Sequence, residues 1–127
     1  MAIKNIVIDN KIFDISYEII NPSATKDIIF LHGWGSNKDI MKSAFSRYLK
    51  DFRHIYIDLP GFGKSPNEYV LTTNDYVNIT SEFLKLLHSS KEFIAGHSYG
   101  GKVATLLNPQ NLILLSSAGI LEEKPFD

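Results

Sequence analysis

Residues 96–100 read Gly-His-Ser-Tyr-Gly, a serine between two glycines in the pattern G-x-S-x-G. In this pattern the serine becomes a nucleophile when the chain turns sharply from a strand into a helix, because the strained turn leaves its hydroxyl projecting. An apolar run precedes the motif and a helical pattern follows it. Gly96 and Gly100 leave room for the crowded turn, and a helix N-terminus favours negative charge nearby. We therefore predict that Ser98 is a nucleophile.

The same turn has a simpler interpretation, in which it binds nothing or binds only an anion. A second glycine-rich segment, Gly-Phe-Gly-Lys-Ser at residues 61–65, resembles the end of a phosphate-binding P-loop. That pattern requires glycine at position 58, where this chain has Asp58, and Pro66 opposes the helix that a P-loop needs. We predict a structural turn in which Asp58 accepts hydrogen bonds from backbone N–H groups.

The apolar pattern predicts the strands that hold these segments. Apolar and polar residues alternate from Ile12 to Ile19, which indicates a strand with one face in solvent. Residues 5–8 before it are the expected partner strand of an antiparallel hairpin. Uninterrupted apolar runs predict four central strands covered on both faces. These runs lie at residues 27–31, 54–57, 93–95 and 112–115.

Three helical patterns separate these strands, at residues 38–49, at residues 73–87 with Thr73 as the predicted N-cap, and at residues 99–107 before Pro109. The alternation of strands and helices predicts an α/β fold. We expect a mostly parallel sheet with helices on both faces and an N-terminal antiparallel hairpin. We also expect residues 1–127 to form the N-terminal portion of a single domain.

Three segments, each placed after a predicted strand, carry a resemblance to a known family. They are Leu-His-Gly-Trp-Gly at residues 31–35, Asp-Leu-Pro-Gly-Phe-Gly-Lys-Ser at residues 58–65 and Gly-His-Ser-Tyr-Gly-Gly at residues 96–101. In order and spacing they resemble the α/β-hydrolases. The first two look most like pimeloyl-carrier-protein methyl ester esterases and meta-cleavage-product hydrolases. The resemblance implies the α/β-hydrolase fold, of which the cap and the C-terminal strands are not among these residues.

The resemblance also implies roles for individual residues. Ser98 would attack the substrate carbonyl, and the backbone N–H groups of Trp34 and Tyr99 would hold the resulting oxyanion. Gly33 and Gly35 would shape the loop that carries Trp34. The Trp34 indole either lines the acyl pocket or simply packs beside the site. We expect no metal and no organic cofactor.

Composition narrows the classes of partner. Lys and Arg total 13 against 14 Asp and Glu, so the chain has no basic field for nucleic acid. With no cysteine, thiol catalysis and disulfides are excluded. No apolar stretch approaches the roughly 20 residues of a membrane span, and the first ten residues lack a secretory signal pattern. We expect a cytoplasmic protein that acts on a small-molecule ester or ketone.

The expected catalytic triad is incomplete in this sequence. The family's chain order is Ser, then Asp or Glu, then His, yet no histidine follows Ser98. His97 is expected to pack or tune the turn rather than act as base. We expect the base and its acid to lie beyond residue 127, so that the chain is a fragment and feeble by itself. The apolar strand predicted at residues 112–115 would then present a sheet edge for association with another chain.

Three functions remain open on the sequence. The first is a serine hydrolase of carboxylic esters that forms an acyl-enzyme at Ser98. The second is a hydrolase of carbon–carbon bonds that uses the same turn on 2-hydroxy-6-oxo-dienoate substrates. The third is a non-catalytic chain with a truncated hydrolase fold.

Overall fold

The computed structural model describes residues 1–115, which form one sheet of six strands with three helices. The strands are β1 (Ala2–Ile8), β2 (Lys11–Ile20), β3 (Lys26–Leu31), β4 (Phe52–Ile57), β5 (Phe93–His97) and β6 (Asn111–Leu115), and the helices are α1 (Lys38–Phe45), α2 (Thr73–Leu86) and α3 (Tyr99–Leu106). The spatial order of the strands is β1-β2-β4-β3-β5-β6. Strands β1 and β2 are antiparallel to each other, and β2 is antiparallel to β4. All further pairings are parallel.

Two apolar layers cover the sheet, one on each face. Helices α2 and α3 pack on one face, where Phe83 and Val103 are fully buried. Helix α1 lies on the other face and buries Met41 in a cluster with Phe30 and Tyr56. The prediction of a mostly parallel α/β sheet with helices on both faces and an antiparallel hairpin is therefore confirmed. The expectation that uninterrupted apolar runs form strands covered on both faces holds for β3, β4 and β5. It is wrong for the run at residues 112–115, which forms β6 at an edge of the described sheet with Leu112 and Leu114 exposed.

Helix α2 begins one residue earlier than predicted. The N-cap is Thr72 and not Thr73: the Thr72 hydroxyl accepts from the Asp75 N–H at 3.1 Å. The Asp75 carboxylate accepts from the Thr72 N–H at 2.8 Å in return. This reciprocal capping box satisfies two backbone donors at once. Both threonines suit an N-cap by residue type and position in the apolar pattern. Only Thr72 has a carboxylate three residues later, and the resulting capping box selects it.

Helix α1 ends at Phe45, four residues before the predicted end. The apolar pattern continues to Leu49, but Tyr48 and Leu49 are exposed. Leu49 has a positive φ of 52°, a conformation that ends regular helix. Its carbonyl accepts from the Phe52 N–H at 3.0 Å and from His54 Nε2 at 2.8 Å, which turns the chain directly into β4.

One expectation for β2 is wrong. Ser16 was placed on a solvent-exposed face, whereas it is fully buried. Its N–H donates to the Ser65 hydroxyl at 2.8 Å, and its carbonyl accepts from the Asp58 N–H at 2.9 Å. The segment that follows β4 covers this part of β2, so the alternation in sequence does not correspond to a wet face there.

The two edges of the described sheet differ in character. Within residues 1–115, β6 pairs only with β5, and it carries no charged residue. Leu112 and Leu114 on this strand are 40% and 55% exposed. Strand β1 at the opposite edge has Lys4 in its middle. None of the helices in residues 1–115 has the length and apolar character to cross a membrane.

Candidate active site

Ser98 stands at the sharp turn between β5 and α3. It is exposed and has φ 56° and ψ −119°, outside the regions that a non-glycine residue favours. Strain of this kind costs about 1–3 kcal/mol and persists only where the surrounding structure enforces it. Although Ser98 occupies the N-cap position of α3, its hydroxyl makes no capping hydrogen bond. The hydroxyl is therefore left available at the surface.

The surrounding structure that enforces this turn consists of close backbone contacts. A methyl group on Gly96 would collide with the backbone of Gly100 and Gly101. A methyl group on Gly100 would collide with the carbonyl groups of Leu31 and His32, at the end of β3. The first turn of α3 thus presses against two neighbouring strands. Only glycine permits this approach, which is the physical reason for both glycines of the motif.

The loop after β3 reaches the same place. Gly33 begins a tight turn that the Ser36 N–H closes by donating to the Gly33 carbonyl at 3.0 Å. Gly35 has φ +80° at the third position, as a type II turn requires. A methyl group on Gly33 would lie 3.3 Å from Ser98 Cβ. The loop that carries Trp34 therefore lies directly against the turn that carries Ser98.

The two predicted oxyanion donors, the backbone N–H groups of Trp34 and Tyr99, lie at positions where secondary structure does not require them as hydrogen-bond donors. Tyr99 is the first residue of α3, and the first N–H groups of a helix have no intrahelical partner. Trp34 is the second residue of its turn, and the Ser36 N–H rather than the Trp34 N–H closes that turn. The positive end of the α3 dipole also faces this point. The arrangement suits an anion that develops beside the Ser98 hydroxyl.

His32 fixes the base of the Trp34 loop. The side chain is fully buried, and its Nε2 accepts from the Leu59 N–H at 3.0 Å. Nδ1 therefore carries the proton and donates to the Gly33 carbonyl at 2.7 Å. Burial lowers the pKa of His32, against the opposing effects of the Gly33 carbonyl and the Asp58 charge. A neutral His32 with both nitrogens engaged holds the loop and is not placed to serve as a general base.

Asp58 ties the far end of the same loop to the end of β4. One carboxylate oxygen accepts from the Lys38 N–H at 2.7 Å. The other accepts from the Lys38 ammonium at 3.1 Å and from the Lys64 N–H at 3.0 Å. Both Asp58 and Lys38 are buried. The predicted role of Asp58 as an acceptor of backbone N–H groups is confirmed, and a methyl group on Gly63 would collide with this carboxylate.

Four aromatic rings, which no local pattern in the sequence groups together, form a cluster around the loop. The Trp34 ring makes edge-to-face contacts with Phe62, Tyr76 and Tyr99 at centroid distances of 4.8, 6.0 and 5.1 Å. The sequence places Phe62 in the glycine-rich turn at residues 61–65 and Tyr76 in the helix predicted at residues 73–87. Trp34 is 62% exposed despite these contacts. The only signal in the sequence was the aromatic residue type itself.

The structure thus brings together Ser98, Tyr99 and the loop that carries Gly33, Trp34 and Gly35. Of the histidines, His54 is also buried with both nitrogens engaged, to the Tyr56 hydroxyl and the Leu49 carbonyl. The His97 side chain lies beside Gly33, where a methyl group would come within 3.1 Å of Nδ1. The expected association edge, β6, lies on the far side of β5 from β3.

Part of this chain is similar in sequence to curated proteins that are named as an esterase and a lipase. A pimeloyl-[acyl-carrier protein] methyl ester esterase from Pectobacterium carotovorum is 35% identical over 80 residues, covering 62% of this chain and 29% of that protein. An sn-1-specific diacylglycerol lipase from Danio rerio is 33% identical over 105 residues, covering 79% of this chain and 33% of that protein. The chain spans about a third of the length of these curated relatives.

Solved structures with low sequence identity share the fold. A probable hydrolytic enzyme from Pseudomonas aeruginosa superposes with a TM-score of 0.80 at 21% identity, over 98% of this chain and 43% of that one. A thermophilic esterase from Thermogutta terrifontis superposes with a TM-score of 0.78 at 22% identity, over 90% of this chain and 45% of that one.

The resemblance to meta-cleavage-product hydrolases stays a prediction. The family assignment itself rests on a match across most of the chain, since the profile of the alpha/beta hydrolase family matches residues 28–125. The same residues include every segment that forms the site. The chain belongs to the alpha/beta hydrolase family.

Proposed function

We propose that this chain carries the nucleophile and the oxyanion hole of a serine hydrolase that cleaves carboxylic esters. The observation that supports this most directly is the juxtaposition of a strained, exposed Ser98 with the loop after β3, where Gly33 lies against Ser98 Cβ. A turn that only bound an anion would not need a hydroxyl held in this unfavourable backbone conformation.

The proposed reaction proceeds through an acyl-enzyme. Ser98 Oγ forms a bond to the ester carbonyl carbon while its proton passes to a general base. The carbonyl oxygen becomes an oxyanion, which the backbone N–H groups of Trp34 and Tyr99 stabilise. The carbon–oxygen bond to the alcohol then breaks, and the alcohol leaves with that proton. Water attacks the acyl-enzyme, releases the carboxylic acid and restores the Ser98 hydroxyl.

The names of the relatives favour esters over other substrates. The Pectobacterium relative is a methyl ester esterase, the Danio relative is a diacylglycerol lipase and the Thermogutta structure is an esterase. All three names describe hydrolysis of a carboxylic ester. We extend this class of substrate to the present site.

The two buried histidines of this chain are not placed to act as the general base. The buried histidines His32 and His54 each have both ring nitrogens engaged. The family order places the base after the nucleophile, and this sequence contains no histidine after Ser98. We therefore expect slow turnover from the 127 residues alone, because oxyanion stabilisation and binding leave about 10³–10⁴-fold catalysis in triad-deficient serine enzymes.

A fluorophosphonate probe tests the nucleophile without requiring turnover. Ser98 Oγ would form a bond to phosphorus while the phosphorus–fluorine bond breaks and fluoride leaves. We expect prolonged incubation to place one adduct on the peptide that contains Ser98, identified by mass spectrometry. Ser98→Ala should remove it, whereas the matched variant Ser89→Ala, at a serine outside the site, should label like the wild type. Equal labelling of the wild type and Ser98→Ala, or none in the wild type, would contradict the proposal.

A further inference from the structure

The Tyr99 side chain connects the candidate oxyanion hole to helix α2. Its hydroxyl forms a hydrogen bond with the Thr73 hydroxyl at 2.9 Å. Thr73 is the first residue of α2, and it takes no part in the capping box, which uses Thr72 and Asp75. The Thr73 hydroxyl therefore does not cap the helix. It bonds instead to Tyr99, the residue that follows Ser98.

The Tyr99 ring in turn contacts the residue that carries the second expected donor. The rings of Tyr99 and Trp34 meet edge to face, with centroids 5.1 Å apart and planes at 80°. Tyr76 lies against both rings, at 5.7 Å from Tyr99 and 6.0 Å from Trp34. Because Tyr76 is buried on α2, it provides a fixed surface for the other two rings.

Besides Tyr99 and Tyr76, the Trp34 ring contacts Phe62 at a centroid distance of 4.8 Å. Trp34 is nevertheless 62% exposed, and the turn that carries it contains two glycines, so these ring contacts are the restraints that the structure shows on its side chain. Edge-to-face aromatic contacts add attraction beyond the apolar area that they bury. An oxyanion hole works only when its donors are held in advance at the place where charge develops. The Tyr99 ring is one of three rings that restrain the Trp34 side chain, and a change in where it is held reaches the loop that carries the Trp34 peptide group.

We propose that Thr73 is a positioning residue of the site. Its hydrogen bond to the Tyr99 hydroxyl fixes the Tyr99 ring, and the Tyr99–Trp34 contact passes that restraint to the loop, so that both backbone donors converge beside Ser98. This inference rests on the proposed function, since it concerns donors that matter only for an oxyanion. It assigns to α2 a part in the reaction that its distance from Ser98 in sequence does not suggest.

The first measurement uses fluorescence, because Trp34 is the single tryptophan of the sequence. Thr73→Val keeps the branched shape but removes the hydroxyl, and Tyr99→Phe removes the other partner of the bond. We expect both variants to show lower anisotropy of Trp34 fluorescence and stronger quenching by acrylamide. Tyr69→Phe is the matched control, since Tyr69 contacts Phe13 and not Trp34. Unchanged fluorescence in Thr73→Val would overturn the restraint on Trp34.

The second measurement is the rate of phosphonylation of Ser98 as a function of probe concentration. Thr73→Val should lower the maximal rate about fivefold, the effect of one lost hydrogen bond of ordinary strength. The half-saturating probe concentration should stay unchanged, because the donors act on the transition state. The double variant with Tyr99→Phe should be no slower than either single variant, since all three break the same bond.

A neighbouring residue separates positioning from stability. Thr72→Val removes the N-cap of the same helix and should lower the melting temperature, while leaving the maximal phosphonylation rate at the wild-type value. If Thr72→Val slowed the reaction as much as Thr73→Val, or if Thr73→Val reacted like the wild type, the positioning role would be wrong while the proposed function stood. If Ser98 of the wild type formed no adduct, the proposed function would fail, and the inference with it.

Discussion

At the scale of single residues, the site depends on one strained residue, Ser98, and on two buried side chains, His32 and Asp58, that bind backbone groups. Ser98 holds a strained backbone conformation, and the cost of that strain has to be met by the contacts around it. His32 contributes because both of its nitrogens bind backbone groups of two different loops. Asp58 does the same with a carboxylate. The side chains that position the loop are therefore more buried than the side chain expected to react.

Removal of the His32 ring should destabilise the protein strongly. His32→Ala would leave the buried Leu59 N–H without its partner, and an unsatisfied buried group costs about 1–3 kcal/mol. The Gly33 carbonyl would keep only its hydrogen bond from the Ser36 N–H. We expect a loss of about 2–5 kcal/mol in the free energy of unfolding, measured by urea denaturation. The control is His88→Ala, at an exposed histidine just after α2. A loss below about 1 kcal/mol for His32→Ala would contradict the stabilising role of the two His32 hydrogen bonds.

His32 should also make stability depend on pH. Burial lowers the pKa of His32 in the folded protein below the reference value of 6.5. The unfolded chain then binds a proton that the folded chain does not, so this contribution to stability falls as the pH drops through 6.5 and towards the folded pKa. Denaturation at a series of pH values should show a decline in wild type that is smaller in His32→Asn. Equal slopes in the two proteins would show that His32 does not titrate in this way.

At the scale of secondary-structure elements, the site requires close approach between α3 and the neighbouring strands. Gly100 lies where α3 presses on the end of β3. Gly35, by contrast, has open space around it, and glycine is favoured there only because its φ is positive. The two glycines therefore serve different physical purposes, one in packing between elements and one in the backbone conformation of a turn.

Alanine substitutions should separate these two purposes. On helix propensity alone Gly100→Ala would stabilise α3 by about 1 kcal/mol, but the collision with the Leu31 and His32 carbonyls should dominate. We expect a loss above about 3 kcal/mol or failure to fold. Gly35→Ala should fold and lose about 1–3 kcal/mol from strain. Thermal melting of both variants is the measurement, and a stable Gly100→Ala would contradict the packing described.

At the scale of the whole molecule, the two sheet edges should behave differently in solution. Strand β6 has apolar side chains and no charge, whereas β1 has Lys4 in its middle, and a charged residue on an edge strand opposes pairing with another sheet. We propose that the isolated chain self-associates through β6. This edge lies beyond β5, on the side away from the antiparallel hairpin.

Substitution at each edge tests this proposal. Leu114→Lys should convert a concentration-dependent oligomer into a monomer, as measured by analytical ultracentrifugation, because a charge at the edge opposes strand pairing. Val7→Lys places the same charge on β1, where Val7 is 63% exposed, and should leave the association unchanged. A monomeric wild-type chain at high concentration would exclude the β6 interface.

The amino-acid sequence was sufficient for everything that depends on local pattern. Apolar runs indicated the central strands, and the glycines of residues 96–100 indicated the turn at Ser98, because each is a short-range constraint on the backbone. The errors at Thr72, Leu49 and Ser16 all come from interactions that apolar periodicity does not encode. Thr72 and Leu49 depend on hydrogen bonds to residues three to five positions away, whereas Ser16 is bonded by a segment distant in the chain.

Only the tertiary structure decided how the site is held. Nothing local in the sequence links Thr73 to Tyr99, His32 to Leu59 or Phe62 to Trp34, since each pair is brought together by the order in which strands pair in the sheet. Strand β3 lies between β4 and β5, so the loops at the ends of these three parallel strands meet at one edge. The sequence determined which residues could react, and the strand order determined which residues position them, because hydrogen bonds and ring contacts require proximity that only the folded sheet supplies.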